Sequence, residues 1–415
     1  MTYAELERGA ASLARRLAAM GVSRGDRVAT TLPAGADFAR LLHALPKLGA
    51  AIVPLNPRLT PPERTAQLEA AGARVVVDRA PTGPEADVRL ATSVEPDDVQ
   101  TVLFTSGTSG RPKTVCLSYA NHRASALASA WNLGVAPGDR WLCALPVFHV
   151  GGISILLRAA IYGTAAVLHE RFEEHAVRTD LESGRATLVS LVPTMLRRLI
   201  EAGVSGAPRL RAALIGGAPA PRALLERALG LGIPVLQTYG MTETASQIAT
   251  VPLEDALSSS GAAGRALPGV ELRIGPDREI LVRGPMVARG ALATDGWLHT
   301  GDLGSLDRDE LLRVDGRLGD LIITGGENVH ATEVEAALSS HAAVADAGVV
   351  GRPDPEWGEA VAAYVVRAGP VDAPALIAHC RTLLASHKLP KRIEFVDALP
   401  RSPTGKLLRG RLKTL

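Results

Sequence analysis

Short apolar runs alternate with amphipathic stretches through residues 1–240, and that alternation decides which architectures are open to the chain. Thr2 and Glu5 form a Thr-x-x-Glu pair in which each side chain caps the other residue's backbone. Leu6, Ala10, Leu13, Leu17 and Met20 then recur at helical spacing, and Gly21 is placed to end the helix. Residues 28–32 read as a strand, 38–48 as a helix and 51–54 as a strand. Thr60, Pro61, Pro62 and Glu63 open a further helix with a second capping box and proline in its first turn, and 74–78 read as another strand. The pattern resumes with strand 187–192, a helix near 195–202, strand 212–215, helix 221–229 and strand 235–236. Strands joined through helices return to the same edge and pair in parallel, so the expected fold is α/β, with mostly parallel sheets wrapped by helices.

After about residue 250 the texture changes. Residues 269–274 and 279–284 read as short antiparallel strands with glycine turns, a small β-barrel-like part. A new unit begins near Gly316, with strand 320–324, helix 332–338, strands 344–350 and 360–366, and helix 374–386. The expected division is a large domain, 1–316, and a small α+β C-terminal domain, 317–415. Residues 80–96, rich in Pro, Asp and Glu, read as the least ordered segment.

Charge and composition exclude several classes of function. Lys and Arg number 45 against 43 Asp and Glu, so no field favours nucleic acid or an acidic membrane. Aromatic residues are 3%, too few for base-stacking platforms, whereas 47% hydrophobic and 21% charged residues describe a globular chain. Cys116, Cys143 and Cys380 lie far apart, which implies neither a disulfide framework nor a zinc site and suits a reducing cytosol. The N-terminus lacks the basic and apolar pattern of a secretory signal. Residues 141–169 carry Arg158 as their only formal charge and would be long enough for a membrane span. Pro146, Gly151, Gly152 and Gly163 interrupt them, so a buried strand–loop–helix–strand passage in a cytoplasmic protein without stable membrane insertion is expected.

Thr105, Ser106, Gly107, Thr108, Ser109, Gly110, Arg111, Pro112 and Lys113 follow the apolar run Val102, Leu103 and Phe104. Hydroxyls, open glycine backbone and one lysine are what a polyphosphate requires of a loop. The spacing is not that of a Walker A loop, since Gly107 and Gly110 are separated by two residues and Pro112 precedes Lys113.

These nine residues resemble the phosphate loop of the adenylate-forming superfamily of acyl-CoA synthetases, luciferases and peptide-synthetase adenylation domains. Further motifs follow in that family's order. The run from Gln237 through Tyr239, Gly240, Met241, Thr242 and Glu243 to Thr244 resembles its adenine and magnesium motif. Gly296 to Asp302 resembles its ribose motif, and Gly316, Arg317, Leu318, Gly319 and Asp320 its hinge. Gly325, Gly326, Glu327 and Asn328 resemble the loop after the hinge, and Pro400 to Lys406 the C-terminal lysine motif. The resemblance covers nearly the whole chain. It implies a mobile small domain, Mg²⁺ as cofactor, and ATP, CoA and a small-molecule acid as substrates.

Roles carried over by the resemblance are specific. Lys113 and the loop hydroxyls would hold pyrophosphate; Glu243 would hold Mg²⁺, a hard cation that prefers oxygen, with Thr108 as a second candidate ligand. Thr242 would contact the α-phosphate. Asp302 would accept both ribose hydroxyls, with Arg317 also in the nucleotide site. Tyr239 and Gly240 would cover one adenine face and Gly216, Gly217 and Ala218 the other. Lys406 would be a point charge at the transferring phosphorus. His149 would be a wall and gate of the acyl pocket, with Ser246 also facing the acid. Gly325 to Asn328 would serve the CoA step, with Gly319 as hinge.

Arg158 is the most informative single residue. A buried guanidinium needs an anion, and a second carboxylate on the substrate would supply one. That pattern is similar to the o-succinylbenzoate–CoA ligases of menaquinone synthesis, whose substrate is a dicarboxylate. Three departures from the superfamily stand out: Thr114 stands where a glycine is common, Gly319 stands where the hinge aspartate is expected, and the sequence starts at what resembles the family's first domain helix, without the usual preceding segment. The o-succinylbenzoate group is similar in lacking that aspartate. The alternatives are another aryl- or short-chain-acid–CoA ligase, or a peptide-synthetase adenylation module, which would be expected to lead into a carrier domain. A non-catalytic nucleotide-binding module would be expected to lack Lys406 or Glu243, and a phosphate-loop motor is disfavoured by the glycine spacing. Self-association is left open.

Overall fold

A computed structural model describes residues 1–106, 112–218, 220–252, 255, 261–324, 327–355, 357–401, 405 and 407–414, apart from the side chains of Ser106 and Asn328. Two compact units emerge: residues 1–216, 222–271 and 282–298 form the first, and 217–221, 272–281 and 299–415 the second.

Both predicted capping boxes form, at Thr2–Glu5 and Thr60–Glu63. The first unit contains two sheets. One has the order Val75–Val76, Arg27–Thr30, Ala51–Pro54, Val99–Ser106, Pro112–Ser118, parallel until the final antiparallel pair. The other has the order Arg265–Ala266, Ser246–Thr250, Val235–Met241, Ala212–Ile215, Leu188–Leu191, Arg140–Cys143, Ala165–Leu168. Its last five strands are parallel, and its first two antiparallel. Strands Ala51–Pro54, Leu188–Leu191 and Ala212–Ile215 are buried along their whole length, as expected where both faces of a parallel sheet are covered.

Some elements differ from the sequence reading. The helix expected over 38–48 is α-helical over Ala36–Ala44 and tightens to a 3₁₀ turn over Leu45–Leu48, because Pro46 has no N–H for an α-helical bond. The strand expected at 74–78 shrinks to Val75–Val76. The helix expected over 374–386 stops at Arg381, where the Thr382 and Leu383 amides turn back to the carbonyls of His379 and Cys380. Residues 141–169 do form the strand–loop–helix–strand passage: Arg140–Cys143, helix Val150–Tyr162, then Ala165–Leu168. Among the described residues no helix is long and apolar enough to cross a membrane.

The second unit holds most of a four-stranded sheet, Glu271–Ile274, Glu279–Arg283, Leu298–Leu306 and Leu312–Arg317. It also holds an α+β body. There the sheet order is Glu327–His330, Leu321–Thr324, Gly358–Arg367, Val344–Asp354, with Arg392–Phe395 pairing in parallel to Gly358–Arg367. Helices Ala331–Ser339 and Ala373–Arg381 close over Val329, Val349 and Val361 with Val334, Leu338 and Leu376.

Candidate active site

Because five strands of the larger sheet are parallel, their carboxyl ends share one edge, the place where open α/β sheets receive ligands. Strand Ala212–Ile215 delivers Gly216 there, Val235–Met241 delivers Thr242 and Glu243, and Arg140–Cys143 leads into the turn that ends at His149. Gly216 lies so close to Thr238 that a Cβ would stand 2.8 Å from Cγ2. Gly217 follows with φ +78°, and Ala218 after it. At Gly240 the constraint is absolute, since a Cβ would sit 1.8 Å from the Ser246 carbonyl oxygen.

The 3₁₀ turn Thr242–Thr244 ends in two non-glycine residues with left-handed backbone, Ala245 at φ +50° and Ser246 at φ +106°. Such residues cost about 1–3 kcal/mol each and persist where their surroundings over-determine them. Here the Met241 amide donates to Thr244 Oγ1 (3.0 Å) and the Ala288 amide to the Glu243 carbonyl (2.7 Å). Tyr239, Thr242 and Glu243 are half-buried. Among the described residues no cation pairs with the Glu243 carboxylate.

The phosphate-loop flanks form a hairpin. Thr105 and Ser106 end one strand, and Pro112 and Lys113 begin the next, with Lys113 opposite Thr105 and Thr114 opposite Phe104. The expected loop is therefore shorter than nine residues, and Lys113 projects from a strand with an exposed side chain. This hairpin lies beside the Thr242–Thr244 turn. Gly107, Thr108, Ser109 and Gly110 lie outside the described residues.

Helix Val150–Tyr162 starts at His149, which occupies the N-cap position. Burial lowers the His149 pKa to about 4, and its buried Nε2 has no partner among the described residues, so the ring is neutral. Two turns further along, Arg158 is 3% exposed. Its Nη2 donates to Ser125 Oγ at 3.2 Å, its guanidinium stands 5.4 Å from the Trp141 ring centre, and its buried Nε has no partner among the described residues. Among the described residues no carboxylate comes within ion-pairing distance, and burial pulls its pKa below the ordinary arginine value. Ser125, on helix Tyr119–Leu133, was not singled out by sequence; a serine in an Ala-Ser-Ala-Leu-Ala-Ser run carries no signal.

The second unit brings other predicted residues together. Cross-strand register places Asp302 opposite Arg317, and Arg317 Nε donates to Asp302 Oδ1 at 2.8 Å. The Asp302 amide donates to Thr300 Oγ1, which in turn donates to the Ile280 carbonyl, fixing the carboxylate's backbone. Gly319 lies in the 3₁₀ turn Leu318–Asp320 with open space at its Cβ position. Asp320 accepts from Arg409 Nη1 at 2.9 Å, and Arg409 Nη2 donates to Glu335 at 2.6 Å. Burial raises the Glu335 pKa, and Arg409 opposes that rise. Arg401 pairs with Asp346 and donates to the Gly405 carbonyl at 2.7 Å. Glu327 and Asn328 lie in the strand Glu327–His330. Gly325, Gly326 and Lys406 lie outside the described residues.

Residues 1–292 match the family model of the AMP-binding enzyme, and residues 333–406 match the AMP-binding enzyme C-terminal domain. The 2-succinylbenzoate–CoA ligase of Listeria monocytogenes serotype 4b is 41% identical over 438 residues, covering 99% of this chain and 94% of that protein. The 2-succinylbenzoate–CoA ligase of Geobacillus kaustophilus is 43% identical over 454 residues, covering 100% and 93%. Among solved structures, o-succinylbenzoate CoA synthetase from Bacillus subtilis in complex with its acyl-adenylate intermediate superposes with a TM-score of 0.94 at 39% identity, covering 100% of this chain and 93% of that one. The same enzyme in complex with ATP and magnesium gives 0.92 at 39%, covering 99% and 94%. With one model matching its first 292 residues and the companion model matching 333–406, the chain belongs to the AMP-binding enzyme family.

Proposed function

We propose that this chain is an ATP-dependent acid–CoA ligase acting on 2-succinylbenzoate in menaquinone biosynthesis. In the first half-reaction a carboxylate oxygen of the acid attacks the α-phosphorus of ATP. The new P–O bond forms as the α–β bridge breaks, giving acyl-adenylate and pyrophosphate. In the second, the CoA thiolate attacks the acyl carbon, and AMP leaves as the thioester forms. Bringing two anions together makes fixed donors and cations the central requirement of the first step.

In this reading Lys113, Thr105 and Ser106, with Gly107, Thr108, Ser109 and Gly110, hold the departing phosphates. Thr242 contacts the α-phosphate. Tyr239, Gly240, Gly216, Gly217 and Ala218 take the adenine. Asp302, steadied by Arg317, accepts the ribose hydroxyls. Lys406 is the point charge of the adenylation step, and Gly325, Gly326, Glu327 and Asn328 serve thioester formation, with Gly319 as pivot. The functional division is 1–316 for ATP and acid and 317–415 for the lysine and the CoA-step loop. Glu243 fits Mg²⁺ as a half-buried, hard oxygen donor that no cation among the described residues neutralises, and Thr108 is a second candidate; the ion would neutralise phosphate charge there. The reading includes a cytoplasmic location.

Arg158 is the observation that carries the choice of acid: a buried cation whose Nε has no partner among the described residues, on the helix that begins at His149. His149 walls the acyl pocket as a neutral ring, Ser246 faces the acid, and Arg158 receives the ring carboxylate of 2-succinylbenzoate. A fatty acid would leave that guanidinium unpaired. The test is pyrophosphate release from the purified chain with ATP, Mg²⁺ and a panel of mono- and dicarboxylic acids. 2-Succinylbenzoate should give the highest kcat/KM, and a monocarboxylate surpassing it would overturn the assignment.

A further inference from the structure

One buried hydroxyl stands between the Arg158 guanidinium and the turn that carries Thr242 and Glu243. Ser125 is 1% exposed on helix Tyr119–Leu133. Its Oγ lies 2.8 Å from the Ala245 carbonyl oxygen and 3.2 Å from Arg158 Nη2. A carbonyl only accepts and a guanidinium only donates, so a single proton arrangement satisfies both neighbours: the Ser125 hydrogen goes to Ala245, and its lone pair faces Arg158. The acceptor end of this chain is not passive backbone. Ala245 is the first of the two left-handed residues that end the Thr242–Thr244 turn, and it is fully buried.

Nothing else among the described residues does the same for Arg158. His122, on the same helix, is spent on Thr101 Oγ1 at 2.9 Å, and burial lowers its pKa to about 3, so it offers no charge. The Tyr162 hydroxyl donates to the Ala126 carbonyl. Trp141 supplies a flat surface, which holds the guanidinium plane without fixing its rotation within that plane.

We infer that Ser125 is a positioning residue for substrate selection: it anchors Arg158 to the Ala245 carbonyl, so that the guanidinium presents its remaining N–H groups to the distal carboxylate of a dicarboxylic acid. The inference deepens the acid–CoA ligase reading and rests on it. Its signature is selective. Losing the anchor weakens recognition of an acid with a distal carboxylate and leaves an acid without one nearly untouched.

The test is a double-mutant cycle on the full chain, with Ser125→Ala, Arg158→Met and the pair. Pyrophosphate release is followed with 2-succinylbenzoate and with 4-oxo-4-phenylbutanoate, which lacks the ring carboxylate. Ser125→Ala should raise KM for the dicarboxylate about tenfold and for the monocarboxylate less than about twofold, and should add nothing in the Arg158→Met background. An equal rise for both acids, or a full additional rise on top of Arg158→Met, would overturn the positioning role. Should Ser125→Ala fail to fold, Ser125→Cys keeps the volume while weakening both hydrogen bonds, and the same selective rise is expected. A wild-type chain that releases no pyrophosphate with 2-succinylbenzoate would refute the ligase reading and remove this inference with it. A wild type that turns over while the cycle fails would overturn the Ser125 role alone.

Discussion

Replacing Arg158 by methionine should move stability and catalysis in opposite directions. The guanidinium is 3% exposed, has one donor accepted by Ser125, and keeps a buried Nε with no partner among the described residues. Methionine keeps much of the stem volume and can lie against Trp141. Exchanging buried ionic groups for well-packed apolar ones gains about 1–4 kcal/mol, set against up to about 2 kcal/mol of lost stacking on the indole. A net gain on the order of 1 kcal/mol would raise the melting temperature of a chain this size by about 1 °C. The dicarboxylate, by contrast, would bring its second anion to a site with no cation. Truncating one partner of a buried charge pair costs about 2–5 kcal/mol, which is roughly 30- to 5,000-fold in kcat/KM. Thermal unfolding without ligands, alongside pyrophosphate release with 2-succinylbenzoate and 4-oxo-4-phenylbutanoate, reads both quantities. A variant that melts lower and loses the same factor with both acids would refute the reasoning, since Arg158 would then be a structural residue.

Lys406→Ala should lose adenylation by on the order of a hundredfold or more while largely keeping thioester formation from supplied acyl-adenylate; single-turnover rates of the two half-reactions check it, and equal damage to both contradicts the division of labour. Gly240→Ala should unfold at least several degrees earlier and lose nucleotide binding, because the added methyl meets the Ser246 carbonyl oxygen at 1.8 Å; calorimetry with and without ATP measures both. Acid should destabilise the fold. His122 and His149 have pKa values lowered to about 3 and about 4 from 6.5, so the unfolded chain binds protons first. Their contribution is complete above about pH 6.5 and is lost as pH falls toward 3–4, roughly 2 kcal/mol each by pH 5. Denaturation midpoints at pH 5 and 7.5 should show the drop, and His122→Gln should flatten it.

What the sequence makes legible follows from how each signal arises. Capping boxes are local hydrogen-bond chemistry, and both appear where Thr2 and Thr60 place them. Apolar runs flanked by amphipathic helices report parallel strands, and 51–54 and 212–215 coincide with the observed elements residue for residue. Arg158 stands out because one charge in a long apolar stretch has to be explained. Helix Tyr119–Leu133 is silent for the opposite reason: its buried face includes His122, Ser125 and Ser129, so no apolar period marks it. Strand Pro112–Ser118 is hidden because Pro112 and Lys113 read as the end of a loop, and only pairing with Val99–Ser106 makes them strand. The Asp302–Arg317 pair shows the same gap. Both residues are conspicuous in sequence, yet their contact depends on the register of two strands.

The last short helix, Arg409–Leu412, makes the chain vulnerable to trimming. Leu412 is fully buried against Val350, Ala362, Tyr364 and Leu399, and Arg409 neutralises Asp320 and Glu335 together. Truncating the chain after Leu412 would remove exposed Lys413 and Thr414 and leave that core intact. Taking Leu412 opens a hole in that core, and cutting as far as Arg409 sets two carboxylates facing each other without their cation. The effect of shortening would thus pass from harmless to damaging between Lys413 and Arg409.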